Sequence, residues 1–97
     1  MEARVIKDGE ISIAGNIKTI TDYQEIKRVV KEQMEQGVNT INIKITESFS
    51  ITSSVVGFFL KVINKDKVQL NIYVKDDRLY KILNDLNLVE LFNVKKL

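Results

Sequence analysis

With 97 residues, 44% of them apolar, the chain has room for a single domain, residues 1–97, with one hydrophobic core. Its 15 basic and 13 acidic side chains are interspersed, so the formal charge of +2 predicts neither a nucleic-acid surface nor a polybasic membrane patch. Because cysteine and histidine are absent, disulfides and thiolate chemistry are excluded, and we expect no enzyme active site and no metal centre.

The chain begins with a hairpin pattern followed by a helical one. Residues 4–7 and 10–14 are predicted to be antiparallel strands, because the Asp-Gly pair between them supplies the positive φ angles of a tight turn. Thr21 and Gln24 have the spacing of a capping box, and Gly37 is a C-terminal stop signal. Between these signals, apolar residues recur at helical spacing, namely Tyr23, Ile26, Val29, Val30 and Met34.

Two later segments, residues 38–45 and 68–74, alternate between apolar and polar side chains as half-buried strands do. A sheet covered by helices on both faces would have strands that are apolar throughout. We therefore predict an α/β fold with a mixed sheet of four to five strands and with the helices packed on one face. The strand–helix–strand order requires parallel pairing through right-handed crossovers.

A second helix is predicted in the stretch that begins at Phe49, ending near Asn64. Its apolar side chains cover an arc of about 200°, which we interpret as a wide core contact. The alternative is that one margin, Phe58 or Leu60, stays exposed for another protein. Gly57 lies on the polar side, where glycine costs about 1 kcal/mol relative to alanine, so we expect a neighbouring loop or a partner's backbone to approach it closely.

A third helix is predicted after Asp76 or Asp77 as its N-cap, with Asn87 as a left-handed terminator. Its expected inner face consists of Leu79, Ile82, Leu83 and Leu86. Residues 88–94 then form a short closing element, predicted as one helical turn with an extended end.

Three hydroxyl residues, Thr52, Ser53 and Ser54, are expected on the first turn of the second helix. Backbone N–H groups there lack intrahelical partners, which suits an anion. One interpretation is that one hydroxyl caps the helix and the others are solvated. The other is phosphorylation, because a phosphate on Ser53 adds about −1.5 to −2 charges that the helix dipole tolerates, so the surface changes sign while the fold survives.

In the order of its elements and in three motifs, the chain resembles the STAS domain, the family of bacterial anti-sigma-factor antagonists. The family's central motif reads apolar-Asp-Ser-Ser/Thr-Gly-apolar-Gly, and residues 51–57, I-T-S-S-V-V-G, align with it without gaps. Thr52 stands in place of the aspartate and Val55 in place of the first glycine. Residues 13–17 resemble the family's glycine turn, and residues 86–92 resemble its closing segment.

The resemblance implies a STAS fold and a role in partner switching. In that family the first serine of the motif, here Ser53, is phosphorylated by an anti-sigma factor that is a serine kinase. The unphosphorylated form binds this kinase so that it releases a sigma factor, and a PP2C-type phosphatase resets the switch. Other family members are unmodified adaptors, including a small cytoplasmic subunit of lipid-transport ABC complexes, and this alternative stays open.

The expected docking surface is the opening of the second helix and the loop beside it. Its residues are Thr52, Ser53, Ser54, Gly57, Phe58, Lys61, Gly15, Asn16 and Ile17. We expect no cofactor, because the chain has no glycine-rich phosphate loop. The longest uncharged apolar run, residues 55–60, is too short for direct membrane insertion, which favours a cytoplasmic protein. No nucleic-acid partner is expected, and weak homodimerisation through the polar sheet face stays open.

Overall fold

The computed structural model describes residues 1–97 as five strands and three helices. The strands are β1 (Glu2–Lys7), β2 (Glu10–Ala14), β3 (Thr40–Ile45), β4 (Gln69–Val74) and β5 (Lys95–Lys96). The helices are α1 (Ile20–Glu35), α2 (Ser53–Asn64) and α3 (Asp77–Asp85), which connect β2 to β3, β3 to β4 and β4 to β5.

The five strands form one sheet in the order β1-β2-β3-β4-β5, in which β1 pairs antiparallel with β2 and the other neighbours are parallel. Each of the three crossovers therefore connects a strand to its next neighbour, and all three step across the sheet in the same direction. Because such crossovers are right-handed, all three helices lie on the same face of the sheet. Burial alternates accordingly, since Ile41 and Ile43 are buried whereas Asn42 and Lys44 are half-exposed. The predicted mixed sheet with helices on one face is confirmed.

The core is one cluster of 22 buried apolar side chains between the sheet and the helices, with α2 at its centre. The Phe59 ring meets the Phe92 ring edge-on at 5.8 Å between centroids, and the Phe58 ring meets Tyr23 of α1 at 6.4 Å. Because α2 is packed on both flanks, its wide apolar arc is a core contact. The alternative of an exposed margin is wrong for Phe58, which is only 5% exposed, and Leu60 is half-buried.

The start of α1 differs from the prediction by two residues. Thr19, rather than Thr21, is the N-cap: Asp22 N donates to Thr19 Oγ1 and Thr19 N donates to Asp22 Oδ2, each at 3.0 Å. Asp22 therefore has the role in the capping box that we expected of Gln24. The carboxylate of an aspartate accepts the hydrogen bond from the N-cap N–H as well as a glutamine side chain does. The predicted end is confirmed, since Gly37 follows the helix with a φ of 86°.

The predicted inner face of α3 is too wide. Leu79 and Leu83 are buried, whereas Ile82 is 36% and Leu86 54% exposed. α3 packs on β4, and the neighbouring edge strand β5 has only two residues. Only a narrow stripe of α3 is therefore covered by the rest of the protein. Of the two expected N-cap candidates, Asp76 and Asp77, the structure selects Asp76.

The end of the chain has the predicted form. Asn87 ends α3 in the left-handed region, with a φ of 59°. A single α-type turn, closed by a hydrogen bond from Phe92 N to Leu88 O of 2.9 Å, then leads into β5. The buried Leu88, Phe92 and Val94 side chains attach this closing segment to the core.

The β1–β2 turn is held by a side chain from the helix layer, which the sequence did not reveal. Only Gly9 has a positive φ, of 78°, so the expected pair of positive φ angles at this turn is wrong for Asp8. The buried N–H of Gly9 donates to Oε1 of Gln33 on α1 at 2.7 Å. Gln33 is itself buried, so this contact joins the hairpin to α1 inside the protein.

We expect a Gln33→Leu substitution to lower the free energy of unfolding by about 1–3 kcal/mol, because it leaves the buried Gly9 N–H without an acceptor. Urea denaturation monitored by circular dichroism measures this loss. The matched control is Gln24→Leu, the same change on the exposed face of α1, for which we expect a change within about 0.5 kcal/mol. Equal effects of the two substitutions would contradict the role of the buried hydrogen bond.

Candidate functional site

The three helix N-termini lie at one edge of the sheet. The carboxyl ends of parallel strands β2, β3 and β4 meet there, and each is followed by a short loop and a helix. Each helix has a side-chain N-cap, namely Thr19 on α1, Thr52 on α2 and Asp76 on α3. The backbone at this edge is therefore fixed by hydrogen bonds at each helix start.

The loop before α2 and the loop after β2 are joined through Ser48, which is 1% exposed. Its Oγ accepts from Ile17 N at 3.1 Å and from Ser50 N at 3.2 Å, and it donates to Ser50 O at 2.6 Å. Two further bonds reinforce the contact: Phe49 N donates to Asn16 Oδ1 at 3.0 Å, and Ser50 Oγ donates to Ile17 O at 2.9 Å. The glycine-turn loop therefore lies beside the opening of α2, as predicted.

The hydroxyl residues at the start of α2 have separate roles. Thr52 is the cap, because its Oγ1 accepts from Val55 N at 3.3 Å. Ser53 and Ser54 are the first two residues of the helix, and both are exposed. The capping interpretation is thus correct for Thr52, while the hydroxyl of Ser53 is accessible from solvent.

Gly57 and Lys61 follow Ser53 at intervals of four residues, so the three lie along the outer side of α2, and all are exposed. A Cβ placed on Gly57 would meet no atom within 4 Å. No neighbouring loop therefore approaches Gly57, and that predicted reason for the glycine is wrong. The other predicted reason, the close approach of a partner's backbone, stays a prediction.

Two residues of the expected docking surface are buried. Phe58 is 5% exposed and packs on Tyr23, and Ile17 is 1% exposed beneath the loop that Ser48 holds. Their side chains cannot contact a docked protein directly, so the prediction that Phe58 and Ile17 bind a partner is wrong. They support the surface from below, whereas Gly15 and Asn16 are half-exposed beside it.

Asp76, Arg78 and Phe49 connect the start of α3 to the loop before α2. The Arg78 guanidinium donates to Asp76 through Nε at 3.0 Å and through one terminal nitrogen at 2.7 Å. These side-chain bonds, together with the Arg78 backbone N–H, lower the pKa of the Asp76 carboxyl to about 2. The same guanidinium lies over the Phe49 ring at 4.5 Å, a cation–π contact.

The cavity beside the opening of α2 is small. A cleft of about 70 Å³ between the starts of α1 and α2 is lined by Lys18, Ile20 and Ser54, among others. It is far below the 300–1,000 Å³ typical of small-molecule sites. No group of three or more carboxylate side chains is arranged to hold a metal ion. None of the three helices has the length and apolar character needed to cross a lipid bilayer.

Comparisons with known proteins do not identify a family. No family model, curated protein or solved structure matches this chain. The fold is therefore described by its topology, a five-stranded mixed sheet with three helices, and the resemblance to the STAS domain stays a prediction.

We expect Gly57→Ala to raise the free energy of unfolding by about 0.5–1 kcal/mol, because the position is helical, exposed and sterically empty. Thermal and urea denaturation measure the gain. Gly37→Ala is the matched control: its Cβ also meets nothing within 4 Å, but its φ of 86° makes alanine strained, so this variant should be less stable. A loss of stability in Gly57→Ala would show that the helix needs the glycine itself.

The pKa of Asp76 predicts a pH-dependent contribution to stability. Its folded pKa, about 2, is below the unfolded value of about 3.9, so its contribution is complete above about pH 5 and is lost progressively as the pH falls from about 5 to about 1. We expect the urea midpoint of Asp76→Asn to fall less steeply across this window than that of the wild type. Asparagine is also a good N-cap, so the comparison isolates ionisation. Parallel profiles for the two proteins would contradict the pKa.

Proposed function

We propose that this chain is a non-enzymatic, cytoplasmic protein-binding module of the partner-switching type, similar to a STAS-domain anti-sigma-factor antagonist. Its partner would be an anti-sigma factor with serine-kinase activity, and phosphorylation of Ser53 would end the interaction. The observation that carries the proposal is the exposure of Ser53 as the first residue of a capped, core-anchored helix, at one end of the exposed row Ser53, Gly57 and Lys61.

The chemistry of this position suits a reversible phosphate. Thr52 already satisfies the cap, so modification of Ser53 removes no hydrogen bond on which α2 depends. The first turn of α2 has no acidic side chain, and the helix dipole stabilises an anion there. A phosphate would therefore leave the fold intact while adding about −1.5 to −2 charges to the contact surface. Such a charge must be desolvated when a partner docks, which weakens binding until a PP2C-type phosphatase removes it.

A second candidate is a constitutive STAS-type adaptor, for example in a lipid-transport ABC complex, that binds through the same surface without modification. One observation favours it. In the family pattern the residue before the first serine is an aspartate, whereas here Thr52 caps the helix and its first turn has no carboxylate that a kinase could recognise.

The intact mass of the protein isolated from its native cells, before and after phosphatase treatment, separates the two candidates. The switch predicts a phosphatase-sensitive added phosphate that is absent from a Ser53→Ala variant but present in Ser54→Ala. An unmodified protein under all growth conditions, together with wild-type partner binding by Ser53→Ala, would favour the adaptor. A pull-down with the wild-type chain identifies the partner for both experiments.

A further inference from the structure

The face of the sheet opposite the helices, here called the open face, gathers basic side chains that are distant in the sequence. Strand register and alternation place five basic residues on it, and these are Arg4, Lys7, Lys44, Lys75 and Lys95. Only two acidic residues, Glu2 and Glu10, share this face. Of 15 basic and 13 acidic side chains in the chain, ten basic and eleven acidic ones are left elsewhere. The net positive charge of the protein therefore arises on the open face.

The register also aligns one row of side chains across all five strands. The row is Arg4, Ser12, Lys44, Tyr73 and Lys95, in strand order. With strands about 4.8 Å apart, it extends for about 19 Å. Tyr73 is a half-buried aromatic ring between two lysines, so a planar apolar surface lies next to positive charge.

The neighbouring part of the open face carries amides. Asn71 Nδ2 donates to Asn42 Oδ1 at 2.9 Å, and Gln69 Nε2 donates to Asn71 Oδ1 at 3.4 Å. Each amide has further donor and acceptor positions that can bind base edges. The nearest carboxylate, Glu10, is paired with Lys44 at 2.9 Å, which lowers its pKa and offsets its charge.

We propose that the open face binds single-stranded nucleic acid. The phosphates would follow the basic row, and an unpaired base would stack on Tyr73, as on other sheets that bind single strands. A duplex keeps its bases stacked and offers no free ring face. A second copy of the chain is disfavoured, because two basic rows would then oppose each other. From the interspersed charges of the sequence we expected no nucleic-acid surface. The basic residues of the open face are distant in the sequence, and only the strand register brings them together.

The direct test is fluorescence anisotropy with labelled oligo-dT and oligo-U. An oligonucleotide of about 12 residues is long enough, because it exceeds the basic row even at about 3.4 Å per residue. We expect saturable binding at low salt that weakens about 20-fold between about 50 and 200 mM NaCl, as three phosphate contacts on a single strand predict. A duplex of the same length should bind more weakly.

Two pairs of variants locate the site. Tyr73→Ala should lower the affinity by at least about fivefold, whereas Tyr73→Phe keeps the ring and should bind as the wild type does. Lys95→Gln should weaken binding, and it should reduce the slope of the logarithm of the binding constant against the logarithm of the salt concentration by about 0.7, the value of one phosphate contact. Lys96→Gln removes the same charge from the next residue, which pairs with Asp77 away from the open face, and should change neither. Circular dichroism verifies that each variant is folded.

Three results would overturn the proposal. The first is the absence of saturable binding to either oligonucleotide at low salt. The second is equal affinity of the Lys95→Gln and Lys96→Gln variants, which would locate binding elsewhere. The third is equal binding to the duplex or to phosphatidylserine vesicles with no dependence on Tyr73, which would mean that the face recognises negative charge alone.

Discussion

Replacing Phe59 with alanine is expected to lower the free energy of unfolding by about 3–5 kcal/mol, the largest loss predicted for a single site in this protein. Phe59 is fully buried in the middle of α2. Its ring lies 6.1 Å from that of Phe58 and 5.8 Å from that of Phe92, between centroids. Alanine would leave a cavity between α2 and the closing segment, and that segment also holds β4 through the bond from Ile72 N to Phe92 O.

Chemical denaturation monitored by circular dichroism measures this loss. Because small domains have only about 5–15 kcal/mol of stability, Phe59→Ala is expected to approach the limit of folding, and Phe59→Leu is the milder variant, at about 1–2 kcal/mol. The matched aromatic control is Phe49→Ala. Phe49 is 38% exposed and would lose chiefly its cation–π contact with Arg78, about 0.5–1 kcal/mol. If Phe59→Ala cost no more than Phe49→Ala, α2 would not be the centre of the core.

Replacing Ser53 with aspartate is expected to weaken binding of the partner by at least about 30-fold, because burying an unpaired charge in a contact costs several kcal/mol. The fold should be unaffected, or slightly stabilised by about 0.3–1 kcal/mol, since the new carboxylate lies at the N-terminus of α2. Calorimetry with the purified partner and denaturation of the variant alone measure the two effects separately.

Thr21→Asp is the matched control for Ser53→Asp. Thr21 is exposed in the first turn of α1 and lines a cleft with Met1 and Arg4 of the β1 edge, so the same charge enters the first turn of another helix, away from α2. Partner affinity should not change in this variant, and Ser53→Ala should also bind. Unchanged affinity of Ser53→Asp would exclude the start of α2 as the contact, whatever its phosphorylation state.

The predictable part of the site is its local chemistry. That one residue of the hydroxyl run 52–54 caps α2 follows from its position in front of an apolar helix, because capping involves residues within three positions of each other. The structure selects Thr52 and leaves Ser53 as the next, exposed residue. Even there, a local ambiguity misled the prediction for α1, where Thr19 and Asp22 form the box in place of Thr21 and Gln24. Both pairs satisfy the same spacing, and only the folded backbone selects one.

Ser48 and Gln33 were missed because their partners are distant in the sequence. Ser48 binds Ile17, 31 positions away, and Gln33 binds Gly9, 24 positions away. Serine and glutamine are usually exposed, so a single polar residue in a loop or helix carries no local sign that it will be buried. The exposure of Ile82 and Leu86 has the same origin, since it depends on how little chain lies beside α3 at the sheet edge.

The amino-acid sequence by itself determined the order and type of the elements, the placement of the helices on one face of the sheet, and that a hydroxyl residue caps α2 and an aspartate caps α3. These follow from periods of 2 and 3.6 residues and from hydrogen bonds between near neighbours, which are local properties. Only the tertiary structure decided that Phe58 and Ile17 are buried, that Ser48 joins two loops, and that basic residues from three strands, together with Lys75 directly after β4, meet on the open face. Those outcomes depend on strand register and packing, which bring together residues that no local pattern connects.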